Sequence, residues 1–370
     1  MSPGDQKAGQ AAPAKAPRSI AEARAILEKD QGPRLNLMEV CGTHTAAIAQ
    51  SGLRSLLPPQ IRLVSGPGCP VCVTPSAYID QLCDLAQQPG HLVLCFGDLI
   101  RVPGHRGSLG QAMARGGQVR MIYSPLDALE ICRTHPEQTI VLAAVGFETT
   151  APSYALLVKR ALQASIGNLR LLTALRRMPP ALDLLCSPES GIDGFLAPGH
   201  VSAIIGSRAY ESYALTYCKP FVVAGFKAED VLGAIARLVQ LCRREMPARG
   251  VVENAYPAIV RPDGNQKAQA VLTEVFEYES AAWRGLGVLP ESGYRLRGPY
   301  AAFDAGPAAA IEDEELPGCR CGELMLGKLE PEDCPLFGRT CRPENPVGPC
   351  MVSTEGACGI HFRYLANQAL

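Results

Sequence analysis

Short apolar runs separated by polar, helix-compatible stretches dominate the chain as far as Ala224. They predict eight strands, at Leu35 to Val40, Ile61 to Val64, Leu92 to Phe96, Val119 to Tyr123, Ile140 to Val145, Leu169 to Thr173, Gly194 to Leu196 and Phe221 to Ala224. Their spacing, roughly 25 to 30 residues, is that of βα units, so parallel sheets covered by helices are the expected architecture. Four of the strands precede Thr139 and four follow it. The pattern therefore divides into two similar α/β domains, residues 19–138 and 139–260, which an old duplication would explain. Residues 1–18, rich in Ala, Pro, Gly and Lys, read as a disordered tail.

Helix signals fit this scheme. Thr74-Pro75 and Ser124-Pro125 each place a capping residue before a proline suited to the first helical turn. Ile79, Leu82, Cys83 and Ala86 then share one helical face, as do Val231, Ile235, Leu238 and Cys242. Cys83 and Cys242 are accordingly core residues, and Cys95, Cys132, Cys186 and Cys218 take the same reading.

Beyond Arg261 the pattern changes. Ala268 to Ala282 reads as a helix, a Gly-rich stretch leads to the acidic run Glu312-Asp313-Glu314-Glu315, and a cysteine-rich segment follows. Residues 261–370 are thus expected to form a third, C-terminal domain, whose cysteine-rich tail has few apolar residues of its own.

Composition narrows the chemistry. The chain has 370 residues and 15 cysteines, with a formal net charge of -1 that argues against a nucleic-acid surface. It opens without an apolar secretory core, and no apolar run reaches the roughly 18 residues of a membrane span. The expectation is a cytoplasmic protein whose thiols are ligands or redox groups rather than structural disulfides.

The unusual sequences lie where strands end. They are Cys41-Gly42-Thr43-His44-Thr45, Ser65-Gly66-Pro67-Gly68-Cys69-Pro70-Val71-Cys72, Gly97-Asp98, Gly146-Phe147-Glu148-Thr149-Thr150 and Pro198-Gly199-His200-Val201-Ser202. Parallel α/β sheets bind ligands outside the carboxyl ends of their strands, so these segments are expected to converge on one cleft. Cys41 and His44 could ligate one metal, or the histidine could hold a Cys41 thiolate. Glu148 could supply a base, although a plain helix cap also explains the threonines after it. His200 is a site candidate by its neighbours. Cys69 and Cys72 form a CxxC ahead of a helix, an arrangement suited to a dithiol–disulfide couple; half of a zinc site is the competing reading.

Six cysteines crowd the C-terminal segment: Cys319, Cys321, Cys334, Cys341, Cys350 and Cys358. The gaps between Cys334, Cys341, Cys350 and Cys358 lack the paired knuckles usual for zinc and favour a [4Fe–4S] cluster, with Cys319 and Cys321 ligating or lying beside it. The fold class is then two parallel-sheet α/β domains plus a cysteine-rich iron–sulfur C-terminal domain.

These motifs, in this order and over nearly the whole chain after the N-terminal tail, resemble the HypD family of hydrogenase maturation proteins. The match includes Cys319-Arg320-Cys321-Gly322-Glu323 and the run from Gly348-Pro349-Cys350 to Cys358. One departure is Gly359-Ile360-His361-Phe362, where tyrosines are expected. The resemblance implies a scaffold for the Fe(CN)2CO group of [NiFe]-hydrogenases, acting with a HypC-family chaperone and a HypE-family cyanide donor. On that reading Cys41 holds the iron, Cys69 and Cys72 pass electrons, and His44, Asp98, Glu148 and His200 orient ligands or move protons. An iron–sulfur-dependent disulfide reductase would use the same tail and CxxC without needing Cys41 and His44. A zinc-stabilised adaptor would need only the tail.

Overall fold

The computed structural model describes residues 16–17, 19–246, 248–306 and 316–364. Nearly all of the expected N-terminal tail and the acidic run at 312–315 lie outside the described residues. The strands are β1 (Leu35–Glu39), β2 (Ile61–Ser65), β3 (His91–Cys95), β4 (Val119–Met121), β5 (Thr139–Gly146), β6 (Leu169–Leu175), β7 (Gly194–Pro198), β8 (Phe221–Ala224), β9 (Val252–Asn254), β10 (Phe276–Trp283) and β11 (Gly287–Leu296). All eight strands expected from the apolar runs are present; β9 and the β10–β11 hairpin were not foreseen.

The strands form two parallel sheets, in the orders β2-β1-β7-β8-β9 and β4-β3-β5-β6, and the antiparallel hairpin β10-β11. This pairing corrects the expected division at residue 138. The second sheet is an insertion between β2 and β7, and β5 pairs with β3 across the supposed boundary. Strand spacing along the chain reports βα units but carries no information on which strand returns beside which. Two stretches therefore cross between the sheets. One follows β2 and contains Cys69 and Cys72; the other follows β6 and leads into the helix Met178–Cys186.

Both sheets are covered on both faces, which explains why their strands are apolar without strict alternation. In the first sheet, Leu35, Leu37, Leu63, Leu196 and Val222 pack under the helices Ile20–Glu28 and Ala228–Cys242. Its opposite face, carrying Met38, Val40, Val64, Phe195 and Phe221, packs against Leu324, Met325 and Met351 of the cysteine-rich segment. In the second sheet, Val93, Cys95 and Val141 meet the helices Ser76–Gln87 and Leu109–Ala114. Leu94, Ile140 and Leu142 meet Ala151–Gln163 and the hairpin residues Phe276 and Tyr294. Cys83, Cys95, Cys132, Cys186 and Cys242 are buried as expected, while Cys218 is partly exposed. Among the described residues no helix is long and apolar enough to cross a membrane.

Local signals were read less well. Thr74 does not cap a helix: its hydroxyl donates to Pro70 O (2.9 Å), and the helix Ser76–Gln87 starts without a side-chain cap. Ser124, by contrast, starts the turn that leads into Asp127–Thr134: its hydroxyl accepts from Leu126 N–H (3.2 Å), while the Asp127 carboxylate accepts from Tyr123 and Ser124 N–H. The helix expected from Ala268 to Ala282 stops at Val275, and Phe276-Glu277-Tyr278-Glu279 turns to strand alternation. That alternation is a period-two pattern which the 3.6-residue reading overran.

The cysteine-rich segment does not have a core of its own, because its apolar side chains complete one face of the first sheet. Met325→Ala is expected to cost about 2–5 kcal/mol, as other large-to-small core changes do. The loss should appear in urea unfolding followed by far-UV circular dichroism, as one transition shared with the first sheet. An unchanged sheet transition would show that the segment folds independently.

Candidate functional site

The site begins where β1 and β2, neighbours in the first sheet, end side by side. Gly42 N–H donates to Gly68 O (3.1 Å) and Gly66 N–H to Glu39 O (2.7 Å), so the two strand-end turns are bonded to each other. They are close enough that a Cβ on Gly68 would collide with the Cys41–Gly42 backbone, and one on Gly42 with the backbone of Glu355. Cys41 is the extended residue ahead of the helix Gly42–Gln50, and its side chain is buried.

Burial pushes the Cys41 thiol up to about 12, although the His44 and Thr43 N–H groups at the helix start favour its charge. His44 is fully buried and burial lowers it to about 4, with its Nε2 2.9 Å from Gly225 O. A carbonyl can only accept, so Nε2 carries the proton and Nδ1 is a lone-pair acceptor, without a protein partner among the described residues. Cys41 and His44 therefore stand as neutral thiol and neutral imidazole. The expected alternative, a histidine holding a thiolate, is corrected by this geometry: the imidazole proton is committed to Gly225.

Other strand ends close around this pair. Phe226, just after β8, lies between the rings of His44 and His200, at 4.8 and 4.0 Å between centroids. Asp98, after β3 of the second sheet, accepts from Thr354 N–H (3.3 Å), and the neighbouring Glu355 carboxylate accepts from the Thr43 hydroxyl (3.2 Å). Glu148, at the end of β5, is buried and accepts from Met178 N–H (2.9 Å) where the second crossing enters its helix. Its other oxygen has no partner among the described residues, and burial pushes the carboxyl up to about 7. Burial raises the Tyr210 phenol, with smaller contributions from the nearby Glu148 and Cys41, and Tyr210 pairs with the Ser202 hydroxyl (2.9 Å). The first and last of the strand-end motifs thus join through Phe226, and Gly97-Asp98 reaches the same tail segment as Thr43.

The sulfur chemistry occupies two adjoining cavities. Cys69 and Cys72 are closed as a disulfide and line the first, together with Thr45, Gly66, Gly68, Met325, Cys350 and Glu355. Cys319, Cys321, Cys334, Cys341 and Cys358 line the second, with Phe337 and Met351. The sulfurs of Cys319 and Cys321 are 3.2 Å apart, and Cys358 pairs with Cys321. Cys350, placed by gap length with Cys334, Cys341 and Cys358, lines the disulfide cavity, and it also lies close enough to Cys358 to help raise that thiol after its pairing with Cys321 and its burial. Among the described residues no three His, Cys, Asp or Glu side chains close on one point as a single ion requires. A cubane makes a different demand, since each thiolate binds a different iron, and five thiols around one cavity offer it a soft donor set.

Sequence reasoning missed Glu39, Glu355, Phe226 and Tyr210. Glu39 is buried in β1; its carboxylate accepts from the Thr45 hydroxyl (2.5 Å) and Cys41 N–H (3.1 Å), and burial pushes it up to about 7. A carboxylate inside the apolar run Leu37-Met38-Glu39-Val40 was the available signal. Glu355 stands between two cysteines of the tail and was overshadowed by them. Phe226 and Tyr210 look like ordinary core residues in the sequence. At the departure from tyrosine, His361 is buried and its Nδ1 lies 2.9 Å from Glu332.

Comparison with known proteins shows which family the chain resembles over nearly its whole length. A family model described as "Hydrogenase formation hypA family", HypD, matches residues 16–365. A protein named hydrogenase maturation factor HypD from Cupriavidus necator is 44% identical over 361 residues, 94% of each chain. Proteins of the same name are 43% identical in Escherichia coli, over 90% of each chain, and 42% identical in Azotobacter vinelandii, over 92% of each.

Two outcomes follow from the geometry. Gly68→Ala should cost about 1–3 kcal/mol through overpacking against Cys41–Gly42, and should speed alkylation of Cys41 under native conditions; unchanged protection would contradict the close approach. For Glu148, the folded carboxyl keeps its proton to about pH 7 while the unfolded one releases it near 4.5. The folded state then binds more protons across that window, so its stability falls as pH rises through it. In Glu148→Gln this loss is absent, and the melting temperature should gain on the wild type between about pH 5 and about pH 7.5. A pH-independent difference would contradict the raised carboxyl.

Proposed function

The chain belongs to the HypD family of hydrogenase maturation proteins, and from that premise we propose that it is the redox-active scaffold on which the Fe(CN)2CO group of [NiFe]-hydrogenase is assembled. It works in this reading with a HypC-family chaperone and a HypE-family cyanide donor, in the reducing cytoplasm. The observation that carries the reading is adjacency. The Cys69–Cys72 cavity is lined on one side by Thr45 of the Cys41 helix and on the other by Cys350 and Met325 of the cysteine-rich segment.

Cys41 is the iron-holding residue. Its buried thiol stays protonated until a metal displaces the proton, so iron entry rather than pH switches it to a thiolate. A thiolate is a soft ligand suited to low-spin iron bearing cyanide and carbon monoxide. Glu39, bonded to Cys41 N–H and with a carboxyl near neutrality, is the group placed to hold a proton beside it. The Nδ1 of His44 offers a second acceptor, and the rings of Phe226 and His200 wall the same side.

Moving cyanide from a carrier thiocyanate to iron consumes two electrons and leaves a thiol on the carrier. Oxidation of the Cys69 and Cys72 thiols to their disulfide releases two electrons and two protons, which matches one such transfer. Cys334, Cys341 and Cys358, with one thiol of the Cys319–Cys321 pair, would hold a [4Fe–4S] cluster, which supplies electrons one at a time. The remaining thiol of that pair and Cys350 then lie toward the dithiol.

Anaerobically purified protein should carry about four irons and four sulfides per chain. Cys341→Ala and Cys358→Ala should lose them and Cys350→Ala should keep them; stoichiometric zinc would contradict the cluster. Complementation tests the function itself. In a strain lacking its own maturation factor of this family, the wild type should restore [NiFe]-hydrogenase activity, and Cys41→Ala, Cys69→Ala and Cys72→Ala should not. Full activity of Cys41→Ala would favour an iron–sulfur-dependent disulfide reductase instead.

A further inference from the structure

The β10–β11 hairpin belongs to none of the strand-end motifs, yet it bridges the two sheets. Phe276, Tyr294 and Leu296 at its base pack into the core of the second sheet, while Trp283 and Leu289 near its tip pack into the core shared by the first sheet and the cysteine-rich segment. The tip is held firmly. Trp283 is fully buried 5.8 Å from the Phe147 ring, with Nε1 donating to the Ser292 hydroxyl (2.9 Å), and the buried Arg176 guanidinium donates to Ala282 O (2.9 Å).

The next residue is Arg284, 3% exposed. Its N–H donates to Val73 O (2.8 Å), its Nε to Thr74 O (2.8 Å) and its Nη2 to Pro103 O (3.4 Å). Val73 and Thr74 are the two residues that follow Cys72. They close the CxxC turn from behind, with Val73 N–H on Cys69 O (3.3 Å) and the Thr74 hydroxyl on Pro70 O (2.9 Å). The guanidinium charge also reaches Cys319 of the second sulfur cavity.

We infer that Arg284 is a positioning residue for the Cys69–Cys72 couple: its backbone N–H and guanidinium fork fix the carbonyls behind the CxxC turn and hold the two sulfurs within bonding reach. This rests on the redox role proposed above and deepens it. The reaction concerned is Cys69–Cys72 disulfide plus two glutathione thiols giving the dithiol plus glutathione disulfide. Its equilibrium depends on the effective concentration of one protein thiol at the other, which a fixed turn raises. Loosening the fork therefore favours the dithiol. Lysine keeps the charge but not the planar fork that spans two carbonyls.

Full-length wild type, Arg284→Gln and Arg284→Lys are equilibrated in glutathione redox buffers and quenched in acid. The peptide carrying Cys69 and Cys72 is then scored by differential alkylation and mass spectrometry, with melting temperature and iron content recorded alongside. Both variants are expected to shift the equilibrium toward the dithiol about tenfold, about 30 mV less negative. A merely structural role would lower the melting temperature without moving this midpoint. Wild-type midpoints in both variants would overturn the inference, as would a lysine variant that restores the wild-type value while glutamine does not, since charge alone would then suffice. If Arg284→Gln does not fold, Arg284→Lys decides by the same criterion. A wild-type disulfide that fails to titrate contradicts the redox role itself, whereas a wild-type couple that titrates but does not move in the variants contradicts only the role of Arg284.

Discussion

The close approach of two backbone turns, Cys41–Gly42 at the end of β1 and Gly68 at the end of β2, is the constraint on which the rest of the site depends. Without side chains at Gly42 and Gly68, the Gly42 N–H reaches Gly68 O and the Glu355 backbone lies against Gly42. One contact thus brings together the cysteine of the first turn, the CxxC of the second and the tail. The iron-holding role proposed for Cys41 and the redox role proposed for Cys69 and Cys72 are compatible only because the turns carrying them are bonded to each other.

Insertion of the second sheet between β2 and β7 adds the other half of the arrangement. A chain that must leave one sheet for another does so through an irregular crossing, and here that crossing is the dithiol segment. Its carbonyls are satisfied from outside by Arg284, and the second crossing is satisfied by Glu148 at Met178 N–H. Buried polar groups at such crossings need partners, since a missing one costs about 1–3 kcal/mol. The carboxyls of Glu39 and Glu148, both raised to about 7 by burial, show that the protein keeps protonatable groups at this junction rather than excluding them.

Much of this was legible in the sequence. Eight strands stood out because parallel strands covered on both faces are continuous apolar runs, and the unusual motifs were placed at strand ends, where the structure has them. Topology was not legible: nothing in the composition of β5 says that it returns beside β3, so the two sheets were read as consecutive halves. The hairpin was lost because Phe276-Glu277-Tyr278-Glu279 follows directly on a genuine helix. Among the cysteines, gap length grouped Cys350 with Cys334, Cys341 and Cys358, but it could not show that Cys350 also lines the cavity of Cys69 and Cys72. Glu39 and Glu355 were passed over because a charged residue within an apolar strand, or between two cysteines, has no motif of its own.

The central claim is that Cys41 holds iron while its diatomic ligands are added beside a two-electron dithiol. Infrared spectroscopy of the anaerobic complex with the proposed HypC-family chaperone tests this most directly, because iron-bound cyanide and carbon monoxide absorb where protein does not. The account predicts those bands in the wild-type complex and their loss in a Cys41→Ala complex that still folds and keeps its iron–sulfur content. Bands of wild-type intensity in the Cys41→Ala complex would place the iron elsewhere and contradict the account.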